Sequence, residues 1–258
     1  MNQAATVMTT DNSGAQRPVL GLIVPPAAGL VPPEGPEMYP EIDFIAQGLA
    51  LSSVDKEGYD QVIDQVVDAA QKLAARGAQA VSLMGTSLSF YRGSDFNEEL
   101  VARLRESTGL PCSTMSHAIL RGLRVSGIER VAVASSYIDD VNQRLVRFLA
   151  QNQIQAVCAY GLGVNDVTAM SQISTQELVD LCLKTWDIAQ KQAPGQAQGL
   201  LLSCGGLVSL EAVRQVEDKL GVTVVSSSPA GFWDLVATAG LDLFPQGMGR
   251  LAQTRQTA

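Results

Sequence analysis

The chain has 258 residues, 46% of them hydrophobic, and carries a formal net charge of -8 with a sequence pI near 4.7. That much apolar side chain supplies a buried core for one large or two small domains, while the acidic balance and the lack of a dense Lys/Arg run argue against nucleic acid or an anionic membrane as partner. No stretch is apolar enough for a membrane span, and the N-terminal residues lack a signal peptide's apolar centre, so a soluble cytoplasmic protein with a small-molecule substrate is expected, monomer or small oligomer being left open.

Residues 1–17 are polar and read as a disordered tail. Val19–Val24 reads as a buried strand ended by Pro25 and Pro26, which remove two ladder donors. Residues 32–51 are rich in proline and glycine without clean periodicity, which suggests a long loop placed to cover a site. Helical spacing runs from Glu57 to Arg76, with Gly77 as the stop. A strand over 80–84 follows, then a Gly85-Thr86-Ser87 turn, a helix capped by Ser94 or Asp95, a short strand from Pro111 and a helix over 116–126. Arg130–Ser135 opens a second series, in which Asp139 or Asp140 caps a helix and Gly161–Met170 forms a loop. Ser174 and Glu177 spell a capping box; the apolar run 200–202 stops at Ser203, Cys204, Gly205 and Gly206, and Ser209 is placed to cap the next helix. A strand over 222–225 and a helix with Pro229 at its first position, closed by Gly240, complete the chain.

Cys112, Cys158, Cys182 and Cys204 are widely spaced, with no CxxC pair, and read as free thiols in a reducing compartment; Cys182 falls on a packed helix face. The single histidine, His117, sits at a helix start, where an exposed or capping role outweighs catalysis. HExxH, paired metal-ligand spacings and a P-loop are absent, so chemistry without metal or nucleotide cofactor is expected.

The stretch 80–90 (AVSLMGTSLSF) repeats the layout of 199–210 (GLLLSCGGLVSL), with Gly85 standing where Cys204 stands. The chain therefore reads as an α/β protein of two pseudo-symmetric βα subdomains, each with a roughly four-stranded parallel sheet and a site in the cleft between them. The first subdomain is expected over 18–110 plus 225–258 and the second over 111–224. Cys204 is then either a small buried hydrophobe or the centre of a site at a strand tip, and the repeat favours the site. Tyr137, just past a strand tip, has two open readings: a hydroxyl donor in the cleft, or half-buried packing.

VPPAAGLVP at 24–32, SLMGTSLSFYRG at 82–93, YIDDVN at 137–142, LLSCGGL at 201–207 and VVSSSPAGFWD at 224–234 together resemble the arylmalonate decarboxylase family, within the aspartate/glutamate racemase superfamily. The resemblance runs from about Gly21 to the last helix. It implies a cofactor-free decarboxylase acting on disubstituted malonates that carry an aryl group. It also implies Cys204 as the catalytic proton donor, Thr86, Ser87, Tyr137 and Gly205 as oxyanion and substrate contacts, and Gly85 at the vacant second-cysteine position. Pro25, Leu51, Val54, Leu88, Val167 and Met170 are implied as an apolar carboxylate pocket. Two other readings stand beside it: an amino-acid racemase or maleate-isomerase-like enzyme of the same superfamily, and a non-catalytic binder of aromatic carboxylates. The first of these needs thiols at both strand tips, and this chain has one.

Overall fold

A computed structural model describes residues 17–254, and the chain there forms two four-stranded, all-parallel sheets. The strands are β1 (Val19–Val24), β2 (Asp43–Gly48), β3 (Ala80–Leu83), β4 (Cys112–Thr114), β5 (Arg130–Ser135), β6 (Gln155–Gly161), β7 (Gly199–Ser203) and β8 (Thr223–Ser226). Their spatial orders, β2-β1-β3-β4 and β6-β5-β7-β8, are the same pattern twice, so β3 and β7 are equivalent strands, as the internal repeat implied. The inner strands are near-continuous apolar runs because helices cover both faces of each sheet; Leu20, Leu22, Ile23, Val131, Leu200 and Leu201 are wholly buried.

Helix Val66–Ala75 packs on β1 and β2 beside helix Ser94–Thr108, and helix Thr175–Gln192 packs on β5 and β6 beside helix Leu210–Leu220. Helices Met115–Val125 and Ser227–Thr238 lie against each other and touch strands of both sheets, which joins the two halves through one continuous core. The tips of β1, β3 and β7 open onto a single cavity between the halves.

Several expectations are corrected. The division at 110/111 falls one strand too early, because β4 pairs with β3 in the first sheet, and the division at 224/225 cuts through β8, which pairs with β7 in the second. Residues 32–51 are not one loop: they hold a short helix, Glu34–Met38, and β2, and only the ends of the segment reach the cavity. A second strand, β6, also lacks a sequence signal. Both are edge strands, with β2 half-buried throughout and β6 partly exposed, so neither presents the continuous apolar run of a central strand. The helix expected over 57–76 is interrupted by a 3-10 turn at Ile63–Gln65. Arg17 belongs to the fold and not to a tail: it pairs with Asp43 at 3.1 Å and donates to the Pro40 carbonyl. The remainder of the expected tail, 1–16, lies outside the described residues.

Candidate active site

The cavity between the halves measures about 510 Å³. Pro25, Leu51, Val54, Leu88, Val167 and Met170 line it together, as do Gly85, Thr86, Ser87, Cys204 and Gly205. Eleven of the twelve residues singled out from the sequence thus share one lining. Leu30, Val31, Leu207 and Val208 add apolar wall; Leu30 and Val208 are 74% and 49% exposed and form its rim. No Lys, Arg, Asp or Glu lines the cavity, so an anion inside it meets hydroxyl and amide donors and no counter-ion.

Cys204 sits immediately after β7, held by its own backbone amide donating to Ser227 Oγ at 3.3 Å. Its thiol points at Met170 Sδ, 3.5 Å away, and the Gly206 amide donates to Sγ at 3.4 Å. Burial pushes the thiol above its ordinary 9.0, tempered by the polar groups near it, Ser136, the Gly206 amide and Tyr137. Desolvation therefore outweighs the amide at the loop, and the resting group is the protonated acid. Cys112, Cys158 and Cys182 are also buried free thiols; burial pushes Cys182 up to about 12, in keeping with an inert packed position.

Thr86 opens the short helix Thr86–Phe90, and its hydroxyl donates to Met115 Sδ at 3.2 Å. The Thr86 and Cys204 hydrogens thus both rest on thioether sulfurs. Such sulfurs are weak acceptors, so turning either hydrogen to a ligand oxygen or carbon sacrifices little. Ser87 faces the cavity with its hydroxyl beside Tyr59 and Tyr137.

Tyr137 is the one expected site residue absent from the lining. It is 1% exposed, its ring meets Phe90 edge to face at 6.0 Å, and its hydroxyl accepts from Ser203 Oγ at 3.4 Å behind Cys204. Desolvation holds its phenol well above the ordinary 10.0. The structure departs from both open readings: the ring is fully buried, not half-buried, and the hydroxyl meets Ser203 without lining the cavity.

The two glycines after Cys204 have different demands. A Cβ on Gly205 would lie 2.7 Å from Met115 Sδ and 2.9 Å from the Met84 carbonyl oxygen, whereas one on Gly206 would meet only Met170 and Cys204, at 3.6 and 3.8 Å. Gly205 is therefore required by close backbone approach. At Gly85, a Cβ would touch Pro25 Cγ at 3.0 Å and Leu88 Cβ at 3.3 Å, facing the cavity.

Sequence reasoning passed over Tyr59, Ser136, Ser227 and Glu34. Tyr59 is wholly buried, its hydroxyl is unpaired with Ser87 at its side, and desolvation raises its phenol. Ser136 had a signal available, since it stands between the β5 tip and Tyr137. Glu34 had none, because its partners lie 175 residues away. His117, expected to be exposed or a cap, is half-buried and does not cap: Thr114 is the N-cap, its Oγ1 accepting the His117 amide, and the His117 ring meets Glu98. Among the described residues no group of three or more His, Cys, Asp or Glu is placed to hold a metal ion, and no helix is long and apolar enough to cross a membrane.

Comparison with known proteins agrees with this geometry. The arylmalonate decarboxylase family model matches residues 20–252. Arylmalonate decarboxylase of Bordetella bronchiseptica is 55% identical over 226 residues, 88% of this chain and 92% of the relative. A solved glycine-to-cysteine, cysteine-to-serine double mutant of arylmalonate decarboxylase, in its liganded form, aligns at 54% identity and TM-score 0.87 over 91% of this chain and 98% of that one. The maleate isomerase Iso from Pseudomonas putida, at 19% identity, shares the fold with TM-score 0.83 over 92% of this chain and 98% of its own. With its repeated parallel sheets and one cysteine at the equivalent strand tips, the chain belongs to the arylmalonate decarboxylase family.

Proposed function

We propose that the protein decarboxylates α-aryl malonates without a cofactor, in the reducing cytoplasm, and returns a proton to one face of the product carbanion from Cys204. The observation that carries this reading is the asymmetry of the two equivalent strand tips that line one apolar cavity: a buried, protonated Cys204 at one and Gly85 at the other. In the reaction, the bond between Cα and one carboxyl carbon breaks and CO2 departs. The electron pair stays on Cα, delocalised into the aryl ring and the remaining carboxylate as an enediolate. Sγ–H then gives its proton to Cα, and the thiolate regains one from water.

Two needs follow, and the cavity has groups suited to each. The retained carboxylate gathers charge on two oxygens; Thr86, Ser87 and the Gly205 amide line the cavity as donors for it, and Tyr137, buried outside the lining beside Ser87, is the fourth; losing one such donor costs roughly 2.7–4 kcal/mol of barrier. The departing carboxylate loses hydration among Pro25, Leu51, Val54, Leu88, Val167 and Met170 as an anion but not as neutral CO2, which favours its leaving. A two-thiol racemase or isomerase reading is disfavoured by Gly85, and a mere binder leaves the parked Cys204 proton without a purpose.

The test is to incubate purified protein with 2-methyl-2-phenylmalonate, with and without chelator, and measure CO2 and the enantiomers of 2-phenylpropionate. One CO2 per substrate and one dominant enantiomer in both arms are expected. Binding without CO2 release, or release that needs added metal, would refute the reading.

A further inference from the structure

Ser136 is wholly buried, and its hydroxyl has no hydrogen-bond partner in the resting protein. A buried hydroxyl left unpaired opposes folding and calls for an explanation in function. Its backbone is held tightly. The carbonyls of Ser135, Ser136 and Tyr137 accept the amides of Leu162, Val164 and Gly163 at 3.1, 2.8 and 3.2 Å, and Ser135 Oγ both accepts the Tyr137 amide at 3.2 Å and donates to Asn142 at 2.6 Å. Ser135 and Ser203 are register partners on the neighbouring parallel strands β5 and β7, so Ser136 and Cys204, the next residue on each, stand side by side at the two tips, with the Ser136 hydroxyl unpaired near the sulfur. The sulfur at rest has the Gly206 amide as donor and sends its own hydrogen to Met170. Tyr137 and Tyr59, both kept as neutral phenols by burial, are the titratable groups that face it.

We infer that Ser136 is a positioning residue whose hydroxyl is held in reserve for the Cys204 thiolate, donating to the sulfur as the proton passes to the carbanion. This rests on Cys204 being the proton donor. A neutral thiol makes little claim on the hydroxyl, whereas a thiolate in an apolar cavity needs every donor within reach. A pre-placed hydroxyl meets that need without reorganising the backbone. The arrangement keeps the acid protonated at rest and strengthens it only as it ionises.

The experiment compares Ser136→Ala and Ser136→Thr with the wild type by two readouts. The first is the pH dependence of iodoacetamide alkylation of Cys204, followed by mass spectrometry of its peptide; the second is kcat and KM for 2-methyl-2-phenylmalonate. Ser136→Ala should move the alkylation profile up by about one pH unit and lower kcat about tenfold with KM within about twofold, and Ser136→Thr should restore both. The same Ser136→Ala change in a Gly85→Cys, Cys204→Ser background, where the acid works from the opposite face, should alter kcat by less than about twofold. An unmoved alkylation profile, or an equal loss of kcat in both backgrounds, overturns the inference. Undiminished turnover by Cys204→Ser would instead overturn the function proposed above, an outcome read independently of the alkylation profile.

Discussion

The carboxylate of Glu34, in the first half, accepts the Ser209 amide of the second half at 2.7 Å. The same oxygen takes the Leu210 amide at 3.0 Å and the Ser209 hydroxyl at 3.1 Å, so the cap of helix Leu210–Leu220 comes from across the molecule. Ser209, expected to cap that helix itself, makes no side-chain cap bond and turns its hydroxyl to Glu34 and Ser226. This contact braces the loop that carries Cys204, Gly205 and Gly206.

Glu34→Ala should therefore strand two amides and a hydroxyl, costing roughly 1–3 kcal/mol. Thermal denaturation reports the loss, and a raised KM would report a loosened loop. Burial raises the Glu34 carboxyl above 4.5. A raised folded value contributes stability that is full below 4.5 and is lost as pH rises through the folded value. Glu34→Gln should flatten that part of the Tm-against-pH curve, and an unchanged slope would count against the assignment.

Cys204→Ser and Cys204→Ala should lower kcat by about 10²–10⁴-fold, since a hydroxyl is a far weaker acid and alanine has no proton to give. Because burial raises the thiol above 9.0, the proton-bearing form persists through neutral pH. The kcat profile should stay level from about pH 7 to about pH 9 and fall only above that, as the thiol ionises. A fall beginning near neutrality would show a thiol less buried than described.

Gly85→Cys should be accommodated, because the contact at 3.0 Å is to the Pro25 ring and not to backbone. A second thiol then faces the enediolate, and the product should become racemic. Adding Cys204→Ser should invert the preferred enantiomer. Chiral chromatography of the three proteins' products is the check; undiluted wild-type enantiomer from a folded, active Gly85→Cys protein would mean that the two tips do not face one another across the substrate.

Gly205→Ala and Gly206→Ala form a contrasting pair. The first drives a methyl against Met115 and the Met84 carbonyl and should cost about 1–3 kcal/mol of stability together with most of the activity, whereas the second meets ordinary contacts and should retain the fold and much of kcat. Equal effects of the two changes, measured by Tm and kcat, would contradict the close approach at Gly205.

The central strands, the repeat that sets Gly85 against Cys204 and the capping box at Ser174 and Glu177 were legible in the sequence because their signals are local. A strand buried on both faces writes itself as a continuous apolar run, and a capping box needs only three residues of separation. The edge strands β2 and β6 were not legible, since one side of each is open to solvent and its composition is mixed. Sheet membership of β4 and β8 was decided by pairing, which no stretch of sequence carries alone. The Glu34 cap, the thioether rests of Thr86 and Cys204, and the partnerless hydroxyl of Ser136 belong to the tertiary structure for the same reason. Each depends on a contact between residues far apart in the chain, and the strength of a donor or an acid is set by which groups folding brings to it and by how much water it removes.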